Sequence, residues 1–259
     1  MSELGVEHVG RTTVVTIQRP AARNALTRSV IASITEAFVT ASSDADVRCV
    51  VLTGAGGHFC SGADLRKNLE DDPDMMDHLE QYLDEYHGLI RSIVRSTKVV
   101  IAMMDGGAVG FGADMAFACD LRVATPAAYV QEKFVKIGLM PDGGSTFWLP
   151  RLVGTARAMQ MMLLAEKMTA PKLHELGVIA RVVPVEQLRE TTMTLAREIE
   201  SGPPLALTEI RRAVYGSWGE IEDALRRERE GQLKLLRSAD ATEGIMAWAQ
   251  RREPEFQGK

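Results

Sequence analysis

Three short stretches of this chain carry residues that could do chemistry. The first is Asp105-Gly106-Gly107-Ala108-Val109-Gly110-Phe111-Gly112-Ala113-Asp114, with four glycines in seven residues, entered from the apolar run Val99-Val100-Ile101-Ala102-Met103-Met104. A buried strand, a glycine turn and a helix N-terminus together present free backbone N–H groups at the positive end of a dipole. Such a nest holds an anion, or an oxygen that becomes one. The second, Phe59-Cys60-Ser61-Gly62-Ala63-Asp64-Leu65, follows another apolar run ending at Thr53. The third, Pro141-Asp142-Gly143-Gly144, sets a carboxylate in a turn before a helical pattern. Two sets of N–H donors plus carboxylates suit a carbonyl oxygen turning into an enolate while a proton moves on carbon. Tight packing of a helix over a strand would call for the same glycines, so the turns alone leave both readings open.

The commoner glycine-loop chemistries fit less well. Gly107-Ala108-Val109-Gly110-Phe111-Gly112 reverses the dinucleotide spacing, no Gly-Lys-Ser/Thr phosphate loop is present, and Gly143-Gly144-Ser145-Thr146-Phe147 fails the serine-hydrolase elbow at its last position. A net charge of −5 gives no general support for a nucleic-acid partner. No apolar run reaches the length of a membrane span. Cys49, Cys60 and Cys119 fit free thiols in a reducing compartment better than a disulfide framework. The five histidines lack metal-site spacing, so no metal is expected. Met1-Ser2-Glu3-Leu4-Gly5 has neither a basic nor an apolar leader pattern, and the expected location is cytoplasmic.

The elements that must position these stretches follow from the pattern. Strands are expected over 12–17, 47–53, 99–104 and 121–124, with a strand-and-turn at 177–184. Helices are expected over 28–41, 75–95, 113–118, after Gly144, and at 185–200, 204–215, 220–236 and 239–252. The charged segment 66–77 reads as a solvated, mobile loop. Strand–helix–strand units recur three times at about 45 residues, which suggests a wound core of repeated ββα units. The fold class is α/β, with residues 1–200 as the core and 201–259 as a helical C-terminal region. Apolar bands there, Ile221, Ala224 and Leu225, then Leu233, Leu235 and Leu236, need covering, either by the chain's own α/β core or by a neighbouring subunit.

In this order and spacing the motifs resemble the crotonase (enoyl-CoA hydratase/isomerase) superfamily. Arg19-Pro20, Asn24-Ala25-Leu26, Ala118-Cys119-Asp120-Leu121-Arg122, Gly138-Leu139-Met140-Pro141-Asp142-Gly143-Gly144 and the tail Arg252-Glu253-Pro254-Glu255-Phe256-Gln257-Gly258 belong to the likeness, which runs from about Thr12 to Lys259. The resemblance implies a spiral of ββα units with a C-terminal helical trimerisation region, as a homotrimer or a dimer of trimers. It implies an acyl-CoA thioester as substrate, with no separate cofactor. The N–H groups of Ala63 and Phe111 would form the oxyanion hole; Phe111 replaces the usual glycine, so its ring must point away from the thioester. Arg23, Ala25, Ser61, Ala63, Asp64, Leu65, Arg66 and Lys67 would contact coenzyme A, and Gly110, Phe134 and Met140 would line the acyl pocket.

The carboxylates choose the reaction. The family's hydratases use two glutamates. Asp114 falls at the first position, shortened by one methylene, and Phe134 at the second, with Glu132 and Lys133 out of register. Asp142 resembles the aspartate used by some family isomerases. The sequence therefore favours double-bond isomerisation of an unsaturated acyl-CoA, with Asp142 and Asp114 as catalytic candidates. An enoyl-CoA hydratase of fatty-acid β-oxidation relying on Asp114, and a non-catalytic acyl-CoA binder, are the alternatives.

Overall fold

The structure is a computed structural model describing residues 2–215 and 218–258. The chain runs β1 (Leu4–Val9), β2 (Thr12–Ile17), α1 (Arg28–Ser43), β3 (Cys49–Gly54), α2 (Leu65–Asp71), α3 (Leu79–Val94), β4 (Val99–Met104), β5 (Gly107–Val109), α4 (Phe111–Ala118), β6 (Leu121–Ala124) and β7 (Tyr129–Gln131). It continues through α5 (Ser145–Val153), α6 (Thr155–Leu164), β8 (Met168–Thr169), α7 (Ala170–Glu175), β9 (Arg181–Val182), α8 (Val185–Glu200), α9 (Pro204–Val214), α10 (Trp218–Leu236) and α11 (Ala239–Gln250).

Six strands form one sheet in the order β1-β2-β3-β4-β6-β9, and three form a second in the order β5-β7-β8. The chain alternates between them: β4 lies in the first sheet and β5 in the second, then β6 in the first and β7 in the second. That alternation is the spiral. The hairpin β1–β2 is antiparallel, while β2, β3, β4 and β6 run parallel. Successive β-branched and aliphatic residues point to opposite faces. Val15, Val50, Leu52, Val100 and Ala102 join the main core; Val14, Cys49, Val51, Ile101 and Val123 face Leu188, Met193 and Ala196 of α8. Both faces are covered, which is why these strands read as unbroken apolar runs.

The structure departs from the sequence reading in several respects. β1 and the whole second sheet, β5, β7 and β8, went unread. The segment 66–77 is no loop: Asp64 caps α2 by accepting from the Lys67 N–H at 3.1 Å, and Arg66–Glu70 and Lys67–Asp71 pair one turn apart along it. First-sheet strands begin at 4, 12, 49, 99, 121 and 181, so the spacing is uneven and no even period of about 45 residues holds. The bands on α10 are covered within one chain: Ile221, Ala224, Leu225, Leu233 and Leu236 are all buried. They pack in the main core, so they require no neighbouring subunit.

The C-terminal helices are tied to the sheet by a buried charge pair. The Arg211 Nε donates to Asp120 Oδ2 at 2.7 Å, the Tyr215 hydroxyl donates to Asp120 Oδ1 at 2.8 Å, and the Val100 N–H donates to Asp120 Oδ2 at 2.7 Å. The Cys119-Asp120 turn is thus an anchor between α9 and the start of β4. No helix among the described residues is long and apolar enough to cross a membrane.

Candidate active site

The two glycine stretches lie side by side because the second sheet extends into them. Isolated parallel bridges join Leu26 to Ala63 and Cys60 to Ala108. The Cys60 N–H donates to the Gly107 carbonyl at 3.1 Å, and the Val109 N–H donates to the Cys60 carbonyl at 2.9 Å. Arg19 and Asn24 brace the arrangement from behind. The Arg19 guanidinium donates to the Ala25 carbonyl and to Asp64 Oδ2, the latter at 2.9 Å. The buried Asn24 amide donates to the Ala55 and His58 carbonyls at 2.8 and 2.6 Å. A Cβ at Gly112 would lie 2.3 Å from the Cys60 carbonyl oxygen, so only glycine lets α4 start this close to the other loop.

The N–H groups of Ala63 and Phe111 have no backbone acceptor among the described residues. Phe111 is the first residue of α4, where the helix leaves its N–H unsatisfied. Its ring stacks edge-on against Tyr86 of α3, centroids 4.7 Å apart and planes at 88°. Both residues line a cavity of about 710 Å³ together with Ala63, Gly110, Phe134 and Asp142.

Asp142 is buried in that wall. Its Oδ2 accepts from Gln232 Nε2 of α10 at 2.8 Å, and its Oδ1 has no hydrogen-bond partner. Burial pushes its pKa up to about 7, with the Gln232 donor opposing the rise. It does not cap α5; Gly144 holds that position.

Asp114 is fully buried and lies outside the cavity lining, behind Gly143. A Cβ on Gly143 would sit 2.5 Å from the Asp114 Cβ, so this glycine allows the contact. Asp114 Oδ1 accepts from the Ser145 N–H at 3.0 Å. Glu132, set aside by register, is buried beside it, and its Oε1 accepts from the Ser145 hydroxyl at 2.9 Å. Glu228 of α10 accepts from the Gly144 N–H at 2.7 Å and the Thr146 N–H at 2.9 Å. Asp114, Glu132 and Glu228 thus gather at the N-terminus of α5, where its dipole favours acceptors. Burial raises Asp114, with the Glu132 charge adding to it; burial also raises Glu132, and it lifts Glu228 to about 7.

Other expected contacts are distributed unevenly. Ser61 and Leu65 line the cavity with Ala63. Arg23, Ala25, Asp64, Arg66 and Lys67 do not; Arg66 and Lys67 are spent on Glu70 and Asp71 along α2. Met140 also lies outside the lining, its thioether filling the space at Gly231 of α10. The sequence reading missed Lys133 and Lys136, which line the cavity without an ion pair among the described residues. It also missed Gln232. Nothing in the run Arg226-Arg227-Glu228-Arg229-Glu230 separates buried Glu228 from its solvated neighbours except its four-residue spacing to Gln232. Leu236, Trp248, Arg252, Pro254 and Phe256 complete the cavity from the same chain. Among the described residues, no three His, Cys, Asp or Glu side chains are grouped as a metal site.

Comparison with known proteins gives the family and the fold. A family model described as enoyl-CoA hydratase/isomerase matches residues 9–259. The chain is 35% identical to the 1,2-epoxyphenylacetyl-CoA isomerase of Escherichia coli K12 over all of both chains. It is 36% identical to a probable enoyl-CoA hydratase of Rhodobacter capsulatus over 95% of this chain and 94% of that one. The crystal structure of an enoyl-CoA hydratase from Mycobacterium avium subsp. paratuberculosis superposes with a TM-score of 0.89 at 35% identity, covering 99% of each chain.

Proposed function

Since this chain belongs to the enoyl-CoA hydratase/isomerase family, we propose that it isomerises the double bond of an unsaturated acyl-CoA, with Asp142 as the acid/base. The observation that carries this reading is that Asp142 is the one carboxylate of the buried acidic group that lines the cavity, while Asp114 and Glu132 lie behind it. Adding water across a double bond draws on two acid/base groups. Moving a double bond needs one group that takes a proton and gives it back.

The thioester oxygen sits between the N–H groups of Ala63 and Phe111. The Asp142 carboxylate takes a proton from C2 of a 3-enoyl thioester, and the electron pair moves into the carbonyl to form a dienolate. The two N–H donors stabilise that oxyanion, each by roughly 3–4 kcal/mol. The same carboxyl returns the proton to C4, which gives the 2-enoyl thioester and restores the carboxylate. A carboxyl with a pKa about 7 is matched to both half-steps near neutral pH. Lys133 and Lys136, lining the cavity and free of carboxylates, take the coenzyme A phosphates in place of Arg66 and Lys67. No separate cofactor enters this scheme. The relative named a 1,2-epoxyphenylacetyl-CoA isomerase supports isomerisation, and the hydratase relatives keep hydration as the competing reading.

The test offers 3-enoyl-CoA and 2-enoyl-CoA esters to the pure protein and follows products by chromatography. Conversion of the 3-enoyl to the 2-enoyl ester, lost in Asp142→Asn, is expected. Faster hydration of the 2-enoyl ester that survives Asp142→Asn overturns the proposal. The assembly is proposed as a trimer or a dimer of trimers. Its support now rests on exposed Leu205, Ile210 and Val214 of α9 and Leu163 and Leu164 of α6, in place of the covered α10 bands. Light scattering that finds a stable, active monomer refutes it.

A further inference from the structure

We propose that Gln232 is a positioning residue for Asp142: by holding Oδ2 it fixes the orientation of the carboxyl group at the cavity wall. The proposal rests on Asp142 moving the proton, as argued above. Both ends of the Gln232 amide are committed. Its Oε1 accepts from the Met140 N–H at 3.1 Å, which leaves Nε2 to donate to Asp142 Oδ2 at 2.8 Å. The backbone donor at Met140 therefore fixes which way the amide faces. Gln232 is buried, so the loss of either bond leaves a buried polar group short of a partner. One helical turn earlier, Glu228 accepts from the Gly144 and Thr146 N–H groups. Two residues four apart on α10 thus grip the 140–146 segment at both ends, with Asp142 between them.

The groups around Asp142 come from several elements. Gln232 and Glu228 reach it from α10. From α3 come Tyr86 and His87. Asp114 lies on α4, and Glu132 follows β7. Lys133 and Lys136 share the cavity wall. Among the described residues no cation pairs with Asp142, so the Gln232 N–H is the side-chain donor that favours its ionised form against burial.

The experiment is a carboxyl 13C and side-chain amide 15N NMR titration of the full-length protein, with the Asp142 and Gln232 signals identified through Asp142→Asn. In the wild type, the Gln232 side-chain amide is expected to titrate at the Asp142 midpoint and to stop doing so in Asp142→Asn. In Gln232→Met the Asp142 midpoint rises by about one to two pH units, the size expected for a hydrogen bond to a charged group. The ascending limb of kcat against pH moves with it, while KM for the enoyl-CoA stays within about threefold. A silent Gln232 amide in the wild type overturns the proposal even if Gln232→Met does not fold. So does a folded Gln232→Met with an unmoved midpoint, whatever its melting temperature. A wild type that turns over no enoyl-CoA ends the isomerase reading, and the NMR titrations then still decide the role of Gln232.

Discussion

Replacing Asp142 by Asn should destroy turnover and, at alkaline pH, make the protein more stable. The carboxyl has an ordinary pKa of 3.8 and is pushed up to about 7 by burial in the folded chain. The unfolded chain therefore binds fewer protons at Asp142 than the native one between these values, and wild-type stability falls as pH rises through that window. At about 1.36 kcal/mol per pH unit, the raised pKa costs roughly 4.3 kcal/mol at pH 8, where the buried group is ionised, and about 1.7 kcal/mol at pH 5, where it must take up a proton. Asn carries no charge, so the stability difference between variant and wild type should grow by about 2.6 kcal/mol from pH 5 to pH 8. Comparing the two pH values cancels any pH-independent effect of the amide on the Gln232 contact. Asp114, Glu132 and Glu228 feel the Asp142 charge as well, and relieving it acts in the same direction. Urea unfolding at both pH values measures the difference, and the isomerisation assay should show a loss of about 10²–10⁴-fold from removing the base. A stability difference that is flat with pH would refute the buried, half-titrated carboxyl. Near-normal turnover would remove Asp142 from the chemistry.

Phe134→Glu puts a carboxylate on the cavity wall beside Gly110, and it should raise hydration relative to isomerisation in a product-ratio assay. A folded variant that binds the ester and adds no water refutes the missing-second-acid argument. Lys133→Glu together with Lys136→Glu should raise KM for the CoA ester by about tenfold, with the effect shrinking in high salt; an unchanged KM places the phosphates elsewhere. Gly112→Ala sets a Cβ 2.3 Å from the Cys60 carbonyl oxygen. Relieving that contact means pushing the two N–H loops apart, at a cost of about 1–3 kcal/mol in denaturant unfolding and a larger relative loss of kcat. Unimpaired kcat would show that the spacing of the loops is not critical.

What was legible in the sequence and what was not divides along physical lines. The central strands were legible because burial on both faces leaves Val99 to Met104 unbroken by polar residues. The glycine turns were legible because close approach and positive φ restrict residue type, as at Gly112 and Gly110. α2 was not legible, since its charges look solvated until Asp64 is seen to cap it and Asn68 to turn inward. Glu132 and Glu228 were hidden for the opposite reason: their types suggest solvent, and only the gathering of α5, α4 and α10 makes a buried place for them. The aspartate of the Pro141-Asp142-Gly143-Gly144 turn could be picked out from its motif, but its partner lies 90 positions later in a helix about half of whose residues are charged. Local pattern carries no information about such a pair.

That separation has a consequence during synthesis. A ribosome adding about 5–20 residues per second needs roughly 5–20 s to go from Asp142 to Gln232. Over that interval the parallel strands β2, β3, β4 and β6 have all been made, and their apolar faces can pair. The 140–146 segment, however, is then held through Ser145 by Asp114 and Glu132 without its α10 contacts, and the Asp142 carboxylate stands in water and is ionised. The arrival of α10 must then strip water from Asp142 and Glu228 and return a proton to those that are neutral in the finished protein. The last step in maturing the site is thus a protonation as well as a docking, and alkaline conditions should slow it more than they slow formation of the sheet.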